Sequence, residues 1–123
     1  MLLPMSVPMG SEMTGNEFRA MALSFAGTME APHFDRTAFR LHRTFATLAA
    51  DGKSANVLLT PNEQEHHVSL QPAAFHRVPN KWGDQGWTTV TLTEIDSGLL
   101  HAVLDSAWRA AHRPPGSRSG KKP

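Results

Sequence analysis

The chain has 123 residues, of which 40% are hydrophobic and 19% charged, proportions typical of one globular domain and not of a disordered or fibrous protein. It contains no cysteine, which excludes a disulfide scaffold, a thiolate metal site and a cysteine nucleophile. The net charge is only +1, and no apolar run approaches the ~20 residues of a membrane span, so we expect a cytoplasmic protein without membrane contact.

The first predicted element is a helix that follows a short leader. Residues 1–13 are expected to form a disordered leader, because two prolines and a glycine interrupt any helix there. Thr14 and Glu17 form a capping-box pattern, which indicates the start of a helix. This helix is predicted to end at Gly27. Its apolar face consists of Phe18, Met21, Ala22 and Phe25.

Alternating apolar and polar residues in the middle of the chain predict three strands. The strands span residues 38–42, 44–48 and 55–59. Asp51 and Gly52 form a typical turn pair between the second and third strands. These two strands are therefore predicted to form an antiparallel hairpin.

Two further helices and one strand complete the predicted elements. Thr60 caps a helix that begins at Pro61 and ends near Ser69. A strand follows at residues 88–93, and Asp96 caps the last helix. The apolar stripe of this last helix consists of Leu99, Leu100, Val103, Leu104, Ala107 and Trp108.

The order of these elements predicts an α+β fold. Hairpin-connected strands with segregated helices are typical of a mainly antiparallel sheet with the helices packed on one face. We expect a single domain over residues 14–112 and a basic, disordered tail over residues 113–123. The tail holds four Lys and Arg residues and no acid, so the rest of the chain has a net charge of −3.

Several sequence blocks, taken in order, resemble the MmcQ/YjbR family, and the resemblance covers about residues 13–112. The Trp-Gly and Gly-Trp pair is its most specific element. The blocks are Ala38–Leu41, Thr44–Leu48, Leu59–Pro61, Phe75–Pro79, Lys81–Gly83, Gly86–Thr88 and Leu104–Arg109. The resemblance implies an α+β fold similar to frataxin (CyaY) and a DNA-binding role. It implies no general activity, cofactor or catalytic residue.

A basic and aromatic surface is the candidate site for DNA. Its cations would contact phosphates, and Trp82 would stack on a base. Lys81 and Arg77 are the better candidates, because they flank or lie in the polar, glycine-rich loop of residues 79–86. The alternative is that Arg40 and His42 only form the solvent face of a strand while the tryptophans cover the sheet edge. The candidate residues are Arg40, His42, Arg43, Arg77, Lys81, Trp82 and Trp87.

The sequence carries no pattern of a metal site or an enzyme. Glu63, His66 and His67 lie close in sequence, but no second cluster completes a metal shell. No nucleophile elbow, P-loop or dinucleotide-binding motif is present. We therefore expect a non-enzymatic protein without a cofactor. The family resemblance favours DNA binding, whereas the acidic charge of the predicted domain favours a protein- or small-ligand-binding module with no DNA affinity.

Overall fold

The computed structural model describes residues 13–112. The predicted tail and residues 1–12 of the predicted leader lie outside the described residues. Met13 already belongs to the fold, because its side chain is 7% exposed and its N–H donates to the Leu92 carbonyl over 3.0 Å.

Within residues 13–112, six strands form one antiparallel sheet in the order β1-β2-β3-β4-β6-β5. In the described part of the chain, four helices and one 3-10 turn, Leu92–Glu94, accompany the sheet. The helices are α1 (Gly15–Ser24), α2 (Pro61–Leu70), α3 (Asn80–Asp84) and α4 (Ser97–Ala111). The strands are β1 (Met29–His33), β2 (Arg36–Arg40), β3 (Thr44–Ala49), β4 (Ser54–Leu58), β5 (Phe75–Arg77) and β6 (Trp87–Thr91).

The predicted α+β class is confirmed, and three elements add to the predicted order. β1 shows no alternation of apolar and polar residues, because both of its faces are largely exposed. It also contains Pro32, a residue that argues against a strand in the sequence but is tolerated in an edge strand. β5 has only three residues, too few to show an alternation of apolar and polar side chains. α3 is a short helix with Gly83 inside it, which removes any helical periodicity from the sequence.

The predicted starts of α1, α2 and α4 are fixed by hydrogen bonds of their capping residues. Thr14 and Glu17 bond each other's backbone N–H groups over 3.0 and 3.1 Å, and Thr60 and Glu63 repeat the arrangement. Asp96 accepts from the N–H of Leu99 over 2.8 Å. Each such cap stabilises its helix by about 1 kcal/mol.

One face of the sheet packs against the helices and forms the core. The register places Phe39, Ala46, Val57 and Thr88 side by side across β2, β3, β4 and β6, and each is 0% exposed. The ring of Phe18 in α1 meets that of Phe39 edge-on, with centroids 5.8 Å apart. Within residues 13–112 no helix is long and apolar enough to cross a membrane.

Candidate nucleic-acid interface

The sheet face opposite the helices, called here the open face, carries small and polar side chains along its centre and the apolar Met29, Leu58 and Trp87 towards one end. Directly opposed residues of antiparallel strands point to the same face, so the register defines a central row across all six strands. The row runs Ala31, Ala38, Thr47, Asn56, Thr89 and His76.

Acidic residues are almost absent from the strands. Glu30 is the only Asp or Glu in the six strands. It lies opposite Phe39, on the helix side, where its carboxylate pairs with Arg19 of α1 over 2.8 Å. The open face therefore presents no strand carboxylate, while Arg36 and Arg40 point to it.

Ion pairs also separate the two sides of the molecule. The described residues contain three pairs, Arg19–Glu30, Arg77–Asp84 and Arg109–Asp105, and all three involve a helical residue or the helix side of the sheet. The other Lys and Arg side chains of this part of the chain have no such partner. They are Arg36, Arg40, Arg43, Lys53 and Lys81.

All seven predicted site residues lie at one end of the sheet, called here the basic end, and six of them are considered first. The turn from β2 to β3 and helix α3, which joins β5 to β6, both lie there, because β6 begins at Trp87 opposite the last residue of β4. β3 and β6 are separated only by β4, a span of about 10 Å. The six residues are Arg40, His42, Arg43, Lys81, Trp82 and Trp87.

Arg77 lies at the same end but on the helix side of the sheet. It pairs with Thr88 in the register and therefore points to the helix side. Its guanidinium donates to Gln64 Oε1 over 2.9 Å and to Asp84 Oδ1 over 2.5 Å. Arg77 thus holds the loop together from the helix side, and the sequence could not show this because the partners are 13 and 7 residues away.

The two tryptophans of the family motif differ in exposure. Trp82 in α3 is 45% exposed, whereas Trp87 is half-buried and faces the open face opposite Leu58. Asn80 begins α3 with φ 66° and accepts from the Trp82 N–H over 3.1 Å. The loop is therefore locally organised, and Trp82 is held where a planar ligand could stack on it.

Two residues that matter to this region were not among the predicted site residues. Arg36 precedes the predicted first strand, and extending the alternation of residues 38 and 40 backwards by one step would have found it. Gln64 is 2% exposed and connects α2 to α3, β5 and β6. The sequence gives little indication that Gln64 is buried, because a single Gln on a polar helix is expected to be exposed.

An open groove of about 460 Å³ lies between α2 and β5 on the helix side. Glu63 is close by. Burial raises its pKa, but hydrogen bonds from the Ser106 hydroxyl and Thr60 outweigh this effect, and the pKa lies below its ordinary value. The pKa of His67 is also lowered, by burial first and then by the charge of His66. The groove is lined by Pro61, Gln64, Glu65, Val68, Ser69 and Arg77.

Metal-ligating groups do not gather in the described part of the chain. Across residues 13–112, no three His, Asp or Glu side chains lie where they could hold one metal ion. His66 and His67 contact each other edge-on, and the ring of His67 stacks on Phe75 at a centroid distance of 4.8 Å. His67 therefore serves packing between α2 and β5, and the exposed His66 contacts only the edge of His67.

Two solved structures share the fold. A Deinococcus radiodurans protein, DR2400, described as a DUF419 domain, matches with a TM-score of 0.69 and 15% identity, over 95% of this chain and 100% of that one. A Pseudomonas syringae protein matches with a TM-score of 0.62 and 14% identity, over 80% of this chain and 99% of that one. The frataxin-like comparison stays a prediction.

The comparison with protein families settles the resemblance noted in the sequence. No curated protein matches the chain. The model of the YjbR family matches residues 23–110, which span all six strands, α2 and α3 and nearly all of α4. The MmcQ/YjbR resemblance is confirmed, and the chain belongs to the YjbR family.

Proposed function

We propose that this protein binds DNA through the open face and the basic end of its sheet. The observation that carries the proposal is the separation of charge. The one strand carboxylate, Glu30, lies on the helix side, whereas Arg36, Arg40, Arg43 and Lys81 have no ion-pair partner within residues 13–112. Cations that are not neutralised within the protein are available to phosphates.

The exposed tryptophan at the same end supports this proposal. Trp82 is 45% exposed, and stacking of a base on an aromatic ring contributes about 1–3 kcal/mol. The acids of the turns, Asp35 and Asp51, lie at the other end of the sheet, as does Arg36. Asp84 of α3 lies at the basic end, where it forms an ion pair with Arg77. A phosphate backbone at the basic end would avoid Asp35 and Asp51 and would meet Asp84 only in its ion pair with Arg77.

Fluorescence anisotropy with labelled duplex and single-stranded DNA, at about 50 and 200 mM salt, tests the proposal. The triple variant R40Q/R43Q/K81Q should bind about tenfold or more weakly at low salt, and the salt slope should fall by about two to three. R109Q is the matched control, because Arg109 lies on α4 and pairs with Asp105. Binding to neither form of DNA would overturn the proposal.

A second variant separates the sheet from the tail. The four basic tail residues are changed to Gln in the full-length chain, and binding by the sheet should persist with a smaller salt slope. If binding disappears with these charges while R40Q/R43Q/K81Q binds normally, the sheet is not the site. The four residues are Arg113, Arg118, Lys121 and Lys122.

A second candidate function is protein binding along β1, and exposed apolar residues favour it. Phe34 is 95% exposed and has φ 58°, an unfavourable conformation for a bulky residue, and Met29 is 68% exposed. Self-association of the chain through this edge would be seen by sedimentation as a mass that rises with concentration. Phe34→Ser should abolish that rise, and a monomer at all concentrations would count against a contact between copies.

A further inference from the structure

We propose that the open face accepts an unpaired DNA strand in preference to a duplex. This inference rests on the proposed function and names the form of DNA that the site takes. It is carried by three features of the open face: a half-buried arginine without a counter-ion, a row of hydrogen-bonding side chains, and a tryptophan beside that row.

Arg36 is the first feature. Its guanidinium is half-buried, with Nε donating to Thr47 Oγ1 over 2.8 Å and Nη2 lying 3.5 Å from the Thr47 carbonyl oxygen. No carboxylate of residues 13–112 forms an ion pair with it. A partly desolvated charge that has only neutral partners gains from an anion. Arg36 is therefore positioned to receive a phosphate on the sheet surface itself.

The central row is the second feature. Thr47, Asn56 and Thr89 lie side by side on β3, β4 and β6, and the Thr89 hydroxyl donates to Asn56 Oδ1 over 2.8 Å. Ala31 and Ala38 continue the row with small side chains. Thr47 is 7% exposed and its hydroxyl accepts from Arg36, whereas Asn56 and Thr89 are partly exposed and can be reached by a ligand. The Watson–Crick edges of bases carry the matching donors and acceptors, and they are accessible only when the strand is unpaired.

Trp87 is the third feature. It lies opposite Leu58, one step along the strands from the Asn56–Thr89 pair, and is half-buried on the open face. A ring held in this way offers a stacking surface at small entropic cost, and stacking tolerates any base. Aromatic rings on an open sheet are a recurrent way to bind unpaired bases.

The shape and charge of the described residues disfavour a duplex. Base edges of a duplex are read by an element that enters a groove. The turn between β2 and β3 is only residues 41–43 long, too short to reach in from the open face. Residues 13–112 contain eight Lys and Arg against ten Asp and Glu, which gives little attraction for the dense phosphates of a duplex.

Anisotropy titrations of the full-length chain compare one DNA sequence of about 12 nucleotides as a single strand and as a blunt duplex. We expect the single strand to bind at least about tenfold more tightly. Thr89→Val, which keeps the side-chain shape, and Arg36→Met should each weaken single-strand binding about tenfold. R109Q, on the helix side, should bind as the unmodified protein does. Circular dichroism and urea unfolding verify that each variant is folded.

The outcomes separate this inference from the proposed function. If the duplex binds as tightly as the single strand, or more tightly, the preference is wrong and the DNA-binding proposal stands. If folded Thr89→Val and Arg36→Met both retain full single-strand affinity, the open face is not the site of the strand. If neither form of DNA binds, both proposals fail.

Discussion

Gly83 and Gly86 explain why the Trp-Gly and Gly-Trp pair is the most specific part of the sequence. A Cβ on Gly86 would lie 1.8 Å from the Leu59 carbonyl oxygen, and one on Gly83 would lie 1.9 Å from that of Val78. Gly86 also has φ 111°, a backbone angle that residues other than glycine rarely adopt. Both glycines thus allow a close backbone contact that holds the loop. The glycines of the motif therefore serve structure.

Gly86→Ala is expected to destabilise the fold strongly. Either the backbone of the loop or that of Leu59 must move to admit the methyl group, and the Leu59 N–H to Gly86 carbonyl bond of 3.0 Å would be disturbed. We expect the free energy of unfolding to fall by about 3 kcal/mol or more, measured by urea denaturation.

Gly98→Ala is the matched control for this substitution. Gly98 lies in the first turn of α4, and a Cβ there would meet only Asp96 Oδ1 at 3.7 Å, an ordinary contact. Alanine should leave stability unchanged or raise it by up to about 1 kcal/mol. Equal stability of Gly86→Ala and the unmodified protein would show that the close contact is not rigid.

At the scale of elements, the side chain of Gln64 joins α2 to the loop that carries the exposed tryptophan. Its Nε2 lies 3.0 Å from the carbonyl oxygens of Gly83 and Trp87 and 3.2 Å from Thr88 Oγ1. Its Oε1 accepts from Arg77. The two hydrogens of the Gln64 amide group face three acceptors, so one hydrogen is shared between two of them. This single buried amide connects α2, α3, β5 and β6.

Gln64→Leu is expected to lower the free energy of unfolding by about 3 kcal/mol, because buried carbonyls and one guanidinium bond lose their partner. Urea denaturation measures this loss. Gln71→Leu is the control, since Gln71 is exposed at the end of α2 and should change stability by less than about 0.5 kcal/mol. If both leucine variants are equally stable, the Gln64 bonds contribute nothing measurable.

The elements with strong local signals were the ones predicted from the sequence. The caps at Thr14, Thr60 and Asp96 mark three helix starts because their hydrogen bonds are made within three residues. β5 is held by pairing with β6, and α3 by the bond from Gln64. Contacts between distant residues leave no local pattern, so these short elements could not be predicted.

At the scale of the whole molecule, the open face of the sheet carries no strand carboxylate, and the helix side holds the ion pairs. Sequence alternation placed Arg40 on an exposed strand face, and the fold places Lys81 and Trp82 at the same end of the sheet. The sequence could not show that the Arg77 side chain points to the helix side, because its direction depends on the register of β5 against β6. The candidate site was therefore predicted by residue type, and its division between two faces required the fold.

Acid is expected to loosen the contact between the helices and the sheet in two stages. Glu63 links the start of α2 to Ser106 in α4, and its pKa is lower when folded. His67 stacks on Phe75 of β5, and its pKa is also lower when folded. In both cases the unfolded chain binds the proton more readily, so stability falls as the pH falls.

The two stages occur at different pH. The His67 contribution is complete above its ordinary pKa of 6.5 and is lost as the pH falls below that value. The Glu63 contribution is complete above its ordinary pKa of 4.5 and is lost as the pH falls through the lower folded pKa. Urea midpoints measured from about pH 7.5 to pH 3 should show both losses.

Variants assign each stage to its residue. His67→Gln should remove the stage at higher pH. Glu63→Gln should reduce the stage at lower pH. It should leave the stage at higher pH in place, because loss of the Glu63 charge lowers the pKa of His67 further. Glu65→Gln, an exposed position on the same helix, should reproduce the profile of the unmodified protein. Parallel profiles for Glu63→Gln and Glu65→Gln below about pH 5 would mean that the Ser106–Glu63 bond does not link the two helices in solution.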